Sequence, residues 1–160
     1  MTGTLEEAEL KAFLRQERER VERALEGALE RILPHIPGEV RDAVRHGVTS
    51  GGKRLRPILC VVAYRAGGGT QEGIYALAVS LELIHAYSLM HDDLPSMDDA
   101  DLRRGEPTTH KLHGEAAATL GGAYLIPSSA MQAYRAAEEM MLPEETCRLL
   151  VRELAQASGG

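Results

Sequence analysis

Tryptophan is absent from this sequence of 160 residues, and aromatic residues make up only 4% of it. The core must therefore be built from aliphatic side chains, which suits helices packed against one another. Hydrophobic residues account for 44% of the chain and charged residues for 26%. These proportions exclude a disordered or collagen-like chain, and the length predicts a single domain.

The sequence also has only two cysteines, no long apolar run and no excess of positive charge. The two cysteines, Cys60 and Cys147, lie far apart in apolar stretches, which is typical of reduced, buried thiols in a cytoplasmic protein. No uninterrupted run approaches the ~20 apolar residues of a membrane span, and the acidic start MTGTLEEAEL is no signal peptide. We therefore expect no transmembrane segment. The net charge of −6 argues against nucleic-acid binding, so any anionic ligand needs a local basic cluster.

Apolar residues at steps of three and four predict that most of the chain is helical. The clearest helix covers residues 4–33. Residues 58–66 are apolar and partly β-branched, but no second strand-like run is present to pair with them, so a buried helix is predicted. We expect Thr70 to cap the next helix and residues 102–107 to form a polar loop. Pro127 lacks the N–H that a helix interior needs and predicts a kink.

An acidic segment, His91–Asp101, contains five carboxylates within ten residues. Their mutual repulsion is relieved by a hard cation, and Mg²⁺ takes one or two carboxylates together with waters and substrate phosphates. The alternative is a solvated acidic loop. The apolar helix before the segment and the pair Arg103-Arg104 directly after it favour a ligand site. An EF-hand does not fit, because Gly105 comes one residue too late for the loop glycine.

A basic turn, Gly51–Pro57, combines glycines with three cations, a composition that suits a diphosphate. It lacks the spacing of a Walker loop, and a plain basic surface turn is the alternative. His85 precedes Asp92 by seven residues, about two helical turns, so both share a helix face. A histidine satisfied within the core remains the alternative for His85. The remaining histidines singled out, expected at the surface, are His46, His110 and His113.

Three segments resemble one known family: GGKRLRP at 51–57, LELIHAYSLMHDDLPSMDDADLRRGEPT at 81–108 and HKLHGEA at 110–116. They are similar to the trans-isoprenyl (polyprenyl) diphosphate synthases, especially bacterial farnesyl and geranylgeranyl diphosphate synthases. The resemblance implies an all-α helical bundle of the isoprenoid-synthase type around a deep apolar cavity, usually as a homodimer. Family members are about twice as long, so residues 1–160 are expected to form its N-terminal half, without the second aspartate-rich motif and the C-terminal helices.

The resemblance also implies roles for individual residues. Asp92 and Asp98 should bind Mg²⁺, with Asp93 nearby, and Arg103 should contact the allylic diphosphate. Tyr87, five residues before Asp92, should limit the product to the farnesyl (C15) length. The residues expected to hold the diphosphate of isopentenyl diphosphate are Lys53, Arg56, His85 and Arg104, with Arg54 adding charge.

The implied reaction is the head-to-tail condensation of isopentenyl diphosphate with an allylic diphosphate. Mg²⁺ and arginines stabilise the leaving diphosphate while the allylic C–O bond ionises. The homoallylic double bond then attacks the carbocation, no protein nucleophile is needed, and the released diphosphate can take the proton. Because half of the expected site is absent, and because Ala123 and Pro127 replace family residues after the first motif, we expect the isolated chain to be inactive or weak.

Two other functions remain open at this point. One is a non-catalytic partner subunit of a full-length synthase, with the exposed half-core of this chain as the interaction surface. Alternatively, the pair His91-Asp92 is compatible with an all-α His-Asp metal phosphohydrolase. That reading requires further His and Asp ligands and leaves GGKRLRP unexplained.

Overall fold

The computed structural model describes residues 2–158, and the helices of this part dominate the fold. Their order, with one short hairpin, is α1 (Thr2–Ile32), a 3₁₀ helix (Leu33–His35), α2 (Gly38–Thr49), α3 (Leu55–Ala66), α4 (Ile74–Asp92), β1 (Leu102–Arg103), β2 (Glu106–Pro107), α5 (Thr109–His113), α6 (Glu115–Glu139) and α7 (Glu144–Ser158). The prediction of an all-α bundle is confirmed.

Helix α3 confirms that residues 58–66 are helical rather than extended, but only one of its faces is buried. Pro57, Ile58 and Val61 lie in the core, whereas Leu59 on the opposite face is 64% exposed. The prediction of a buried helix was therefore wrong for that outer face. The sequence of residues 58–66 did not indicate which face is exposed, because apolar residues occupy both faces of the helix.

Thr70 does not cap the following helix, because α4 begins only at Ile74 with Gly73 at its N-cap. The chain between α3 and α4 instead lies against Tyr64. The Gln71 N–H donates to the Tyr64 hydroxyl at 3.3 Å, and a Cβ on Gly69 would lie 2.3 Å from the Tyr64 ring. Packing against this aromatic ring delays the start of α4 by a turn.

The predicted polar loop at 102–107 is a two-stranded antiparallel hairpin, with Leu102 opposite Pro107 and Arg103 opposite Glu106. Its two-residue turn consists of Arg104 and Gly105, which have φ angles of 56° and 86°. Two successive positive φ values are the requirement of the tight hairpin turn that matches strand twist. The turn therefore presents Arg104 at the hairpin tip.

Helix α6 continues through Pro127 from Glu115 to Glu139. Pro127 lies on the exposed side of the helix, where water can satisfy the carbonyl that loses its N–H partner. The hydroxyl of Ser128 donates to the Tyr124 carbonyl at 2.7 Å, and that of Ser129 donates to the Ile126 carbonyl at 2.7 Å. Both hydroxyls thus bond carbonyls of the turn that contains the proline.

Helix α4 is the centre of the bundle and makes its most extensive contact with α6. Among the helices of residues 2–158, α4 alone is long and apolar enough to cross a membrane, although Ser80, Glu82 and His85 interrupt its apolar run. Half of the apolar window is buried inside the fold. Core helices of globular bundles meet the same criterion, and its position here is that of such a helix.

Small residues on α6 allow the close approach to α4. A Cβ on Gly121 would lie 2.8 Å from Cε of Met90, and one on Gly122 would lie 2.3 Å from Nε2 of His91. The His91 ring is also tied to α6, because Nε2 bonds the Thr119 carbonyl at 2.9 Å. Gly122 thus fixes how closely the last turn of α4, which carries Asp92, packs against α6.

We expect Gly122→Ala to lower the free energy of unfolding by about 1–3 kcal/mol, because the added methyl group overlaps the His91 ring. The matched control is Gly27→Ala in α1, where the nearest atom to an added Cβ is Arg31 Nη1 at 3.9 Å. That substitution should stabilise the protein by about 0.5–1 kcal/mol through helix propensity. Urea unfolding followed by circular dichroism measures both, and equal effects of the two changes would contradict the packing argument.

Candidate functional site

The acidic loop folds back on the end of α4. Asp92 is the last residue of that helix, and its carbonyl accepts the Asp98 N–H at 2.9 Å. The Leu94 carbonyl accepts the N–H groups of Met97 and Asp99 at 2.8 and 3.1 Å. This folding returns the exposed Asp98 to the vicinity of the half-buried Asp92, which are the two carboxylates predicted to bind Mg²⁺.

Asp93 has a different environment from these two carboxylates. It is only 3% exposed, and it accepts bonds from Arg103 Nη2 at 2.7 Å and from Arg103 Nε at 2.9 and 3.0 Å. The hydrogen bond to Asp93, followed by the negative charges of Asp93, Asp92 and Asp98, raises the pKa of Arg103. Arg103 therefore lies within the field of all three carboxylates, with Asp93 as its direct partner.

Within residues 2–158, no cluster of three or more His, Cys, Asp or Glu side chains forms a metal-ligand set. The predicted grouping of Asp92, Asp93 and Asp98 is thus not assembled as a ready-made cage. A pair of carboxylates completed by waters and phosphate oxygens is the donor set that Mg²⁺ usually takes in proteins. The acidic loop offers such a pair in Asp92 and Asp98, while Asp93 is engaged by Arg103.

The basic turn and the hairpin tip lie against each other. Gly51 and Gly52 have φ angles of 85° and 148°, a region that favours glycine. The guanidinium of Arg104 donates to the Gly51 carbonyl, and a Cβ on Gly52 would lie 2.8 Å from Arg104 Nη1. Two segments that are fifty residues apart in sequence are therefore brought together, and both carry cations that were predicted to hold one diphosphate.

Arg54 has a structural position that corrects its predicted role. It is only 4% exposed, and it donates to Glu82 at 2.6 Å, to Glu22 at 2.9 Å and to the Val48 carbonyl at 3.1 Å. Burial by itself lowers the pKa of Arg54, but the bonds to Glu22 and Glu82 outweigh it and raise the pKa. Its charge is neutralised inside the fold, so it does not add charge for a ligand. Sequence reasoning missed both acidic partners, which lie on other helices.

His85 and Arg56 form a polar pair at a cavity between α3, α4 and α7. Arg56 Nη1 lies 3.1 Å from His85 Nε2, so the arginine donates to a neutral imidazole. The cavity has a volume of about 500 Å³, and its walls are mostly apolar, including Leu59, Leu81 and Leu154. Lys53 is exposed beside this pair in sequence. The cavity thus combines a cationic end with an apolar wall.

Tyr87 lines the same cavity. Its ring is half-buried against the core, and it meets the His91 ring edge-on with centroids 5.1 Å apart. His91 is in turn fixed to α6 through the Thr119 carbonyl. The predicted length-limiting residue is therefore held firmly in the wall of the cavity that also contains Arg56 and His85.

The three histidines expected at the surface are more enclosed than predicted. His110 is 6% exposed. Its Nδ1 lies 3.1 Å from the Thr108 hydroxyl, and its Nε2 has no partner among the described residues. His46 and His113 are half-buried with ring centroids 5.4 Å apart. Helix α5, which carries His110 and His113, packs against α6 and against α2, which carries His46. The short sequence of α5 does not reveal this tertiary packing.

The chain is similar to known proteins of one family. The sequence model of the polyprenyl synthetase family matches residues 37–160. Farnesyl diphosphate synthase of Geobacillus stearothermophilus is 40% identical over 147 residues, covering 92% of this chain and 48% of that protein. Geranylgeranyl pyrophosphate synthase 12 of Arabidopsis thaliana is 40% identical over 151 residues, covering 94% of this chain and 41% of that protein.

Solved structures show the same partial correspondence. An FPP/GFPP synthase from Zymomonas mobilis superimposes with a TM-score of 0.78 at 33% identity, covering 94% of this chain and 53% of that one. A geranyltransferase from Legionella pneumophila gives a TM-score of 0.77 at 34% identity, with 91% and 53% covered. The chain therefore spans about half the length of the relatives that it matches.

His85 provides a pH-dependent test of the cationic end of the cavity. Burial, followed by the charge of Arg56, lowers the pKa of His85 from its ordinary value of 6.5. Arg56→Gln should raise that pKa, whereas Lys53→Gln, the matched charge removal, should not. Because the unfolded chain binds the proton more readily, the contribution of His85 to the free energy of unfolding should fall as pH drops below 6.5. Histidine proton shifts in an NMR titration measure the pKa, and an unmoved value in Arg56→Gln would contradict the pairing.

Proposed function

Because the chain belongs to the polyprenyl synthetase family, we propose that it forms one side of the active site of a Mg²⁺-dependent trans-prenyltransferase. The reaction proposed is the head-to-tail condensation of isopentenyl diphosphate with an allylic diphosphate. The observation that carries this proposal is the contact between Arg104 and the Gly51 carbonyl. It joins the basic turn to the hairpin that follows the acidic loop, next to an apolar cavity.

The charged residues of the site fall into two groups, one for each diphosphate. Arg103 is positioned to stabilise negative charge on the departing allylic diphosphate, because it follows the acidic loop in β1 and lies within the field of Asp92 and Asp98. Lys53, Arg56 and Arg104 offer cations for the second diphosphate, and neutral His85 extends this set. The apolar wall beside them takes the hydrocarbon part and excludes water from the carbocation.

Asp92 and Asp98 are the residues that would hold Mg²⁺. The fit rests on the donor set, since the loop bond from the Asp98 N–H to the Asp92 carbonyl keeps the two residues together, and Asp93 is already engaged by Arg103. Two carboxylates leave coordination positions for waters and diphosphate oxygens. When bound, the ion supplies charge neutralisation for the leaving diphosphate.

We expect Mg²⁺ to bind weakly alone and at least about tenfold more tightly, or ~1.4 kcal/mol, when a non-hydrolysable allylic diphosphate is present. The double substitution Asp92→Asn/Asp98→Asn should abolish this gain. Asp101→Asn is the matched control, because that exposed carboxylate is paired with Lys111 at 2.6 Å. Titration calorimetry decides, and a double variant that binds as tightly as the parent protein would refute the assignment.

We further propose that the product is farnesyl diphosphate and that the isolated chain has little turnover. Tyr87 supports the first part, since its ring forms the wall of the cavity. The second part follows from the length of the relatives, about twice that of this chain. Ionisation of the allylic substrate requires charge stabilisation within a closed, dry cavity, and the opposite wall would come from the remaining half of the fold.

A chimera that joins this chain to the remaining half of the Geobacillus stearothermophilus farnesyl diphosphate synthase tests both statements. Supplied with Mg²⁺, isopentenyl diphosphate and an allylic diphosphate, the chimera should form farnesyl diphosphate. The isolated chain should show less than about one per cent of that rate, which corresponds to an activation free energy higher by ~2.7 kcal/mol. Tyr87→Ala in the chimera should extend the product beyond C15. Chromatography identifies the products. Robust turnover by the isolated chain, or unchanged C15 product from Tyr87→Ala, would contradict the respective part.

Exposed apolar residues on α6 support the homodimer that the family resemblance implies, and equally the alternative of a non-catalytic partner subunit. Leu120 and Ile126 are 51% and 42% exposed. We expect sedimentation velocity to show a dimer, and we expect Leu120→Lys to raise the dissociation constant of that dimer at least about tenfold. Leu10→Lys, at an exposed position of α1, should leave it intact. A monomer that pairs only with a full-length synthase would favour the partner subunit.

A further inference from the structure

His110 is the one buried histidine among residues 2–158, and the reaction proposed above does not use it. Its Nδ1 lies 3.1 Å from the Thr108 hydroxyl, and that hydroxyl lies 2.7 Å from the Ala100 carbonyl. A carbonyl can only accept, so the hydroxyl gives its proton to Ala100 and must accept its second bond from His110. The geometry therefore makes Nδ1 the protonated nitrogen of a neutral ring. The other nitrogen, Nε2, has no partner among the described residues.

Thr108 closes the base of the hairpin that carries Arg103. It follows β2 directly and is only 2% exposed. Its N–H donates to the Asp101 carbonyl at 3.0 Å, and its hydroxyl donates to the Ala100 carbonyl. Both acceptors lie directly before β1. The two bonds thus join the chain that enters the hairpin to the chain that leaves it, and His110 holds the hydroxyl that makes the second bond.

Ala100 connects the base of this hairpin to the end of α4. Its N–H donates to the Asp93 carbonyl at 3.2 Å, while its own carbonyl accepts from Thr108. The preceding residue, Asp99, has a φ angle of 49°, which is uncommon outside glycine and must be held by the surrounding bonds. The Asp93 carboxylate in turn accepts from the Arg103 guanidinium. Loss of the bond to Ala100 would therefore let the hairpin, and with it Arg103, move relative to Asp93.

We propose that Thr108 and His110 are positioning residues for Arg103. They act by keeping the base of the hairpin closed, so that Arg103 and Asp93 stay paired beside the acidic loop. The purpose of this placement rests on the proposed function, because Arg103 is there assigned to the departing diphosphate. The hydrogen bonds themselves need no ligand, so they can be tested separately from the reaction.

The tautomer of His110 tests the first step on the unmodified chain. At about pH 8, where an ordinary imidazole is neutral, the ¹⁵N resonances of its ring should show a protonated Nδ1 and an unprotonated Nε2. His110→Asn assigns these resonances. His46 is the internal reference, because its Nε2 lies 3.1 Å from the Pro107 carbonyl and must carry the proton there. The two histidines should therefore show opposite tautomers, and a proton on Nε2 of His110 would overturn the proposal.

Two substitutions of His110 separate its hydrogen bond from the packing of its ring. Asn carries its amide near the position of Nδ1 and can still donate to Thr108, whereas Gln extends toward Nε2. The Nε–H of Arg103, assigned with Arg103→Lys, should exchange with water at least about tenfold faster in His110→Gln. His110→Asn should stay within about threefold of the parent chain.

Substitutions of Thr108 give the same readout without changing the ring. Thr108→Val keeps the shape of the side chain but removes the hydroxyl, and it should accelerate the exchange of the Arg103 Nε–H as His110→Gln does, whereas Thr108→Ser should not. This pair keeps the test decisive if His110→Gln does not fold. Lys111→Gln is the matched control on α5. Its contact with Asp101 is solvent-exposed, and such ion pairs contribute little, so the exchange rate should not change.

Titration calorimetry connects this placement to function. With a non-hydrolysable allylic diphosphate, the gain in Mg²⁺ affinity should fall below about threefold in His110→Gln and Thr108→Val and persist in His110→Asn. A role in folding alone would lower the urea midpoint without reducing the gain, and that result would overturn the proposal. So would an exchange rate of Arg103 that His110→Gln leaves unchanged. A parent chain without any gain, but with the expected exchange pattern, would refute the proposed function and still support the positioning of Arg103.

Discussion

The buried ion pair between Arg54 and Glu82 determines where the basic turn lies relative to the rest of the bundle. Both side chains are almost fully enclosed, and the nitrogen–oxygen distance is 2.6 Å. Removing one member of such a pair leaves an uncompensated charge in the interior and typically costs about 3–5 kcal/mol. Arg54 also reaches Glu22 on α1 and the last turn of α2 through the Val48 carbonyl. One side chain thereby joins the turn to three helices.

Helix α4 transmits this constraint to the proposed site. Glu82 pairs with Arg54 of the basic turn, and His85 accepts a hydrogen bond from Arg56. Tyr87 lines the cavity, and Asp92 ends the helix at the acidic loop. Because an α-helix rises about 1.5 Å per residue, these groups are spaced along a single rigid rod. Gly122 and His91 then fix the end of that rod against α6. The relative positions of cations, apolar wall and carboxylates follow from a few contacts of one helix.

Sequence reasoning predicted most of the helices but not the partners of individual charges. Apolar periodicity was sufficient for α1 and α4, whereas α3 was predicted because residues 58–66 have no strand-like partner. Arg54 and Arg56 are indistinguishable by composition, yet one is buried between carboxylates and the other is exposed beside His85. Pro127 lies within α6, which continues through it with the proline on the solvent side. Such outcomes depend on which face of an element is covered, which requires the tertiary structure.

The bidentate contact between Arg103 and Asp93 has a consequence for how an anion reaches the acidic loop. A guanidinium whose Nε and Nη2 are both occupied presents only its remaining N–H groups to an approaching oxygen. An anion oxygen that approached Arg103 would therefore join the existing pair of Arg103 and Asp93 rather than displace Asp93, and the carboxylate holds the guanidinium in a fixed plane. Asp93 repels an approaching anion, but it also makes Arg103 selective for direction. An anion oxygen outside the plane of the guanidinium meets the positive charge of Arg103 but cannot accept a hydrogen bond from its N–H groups.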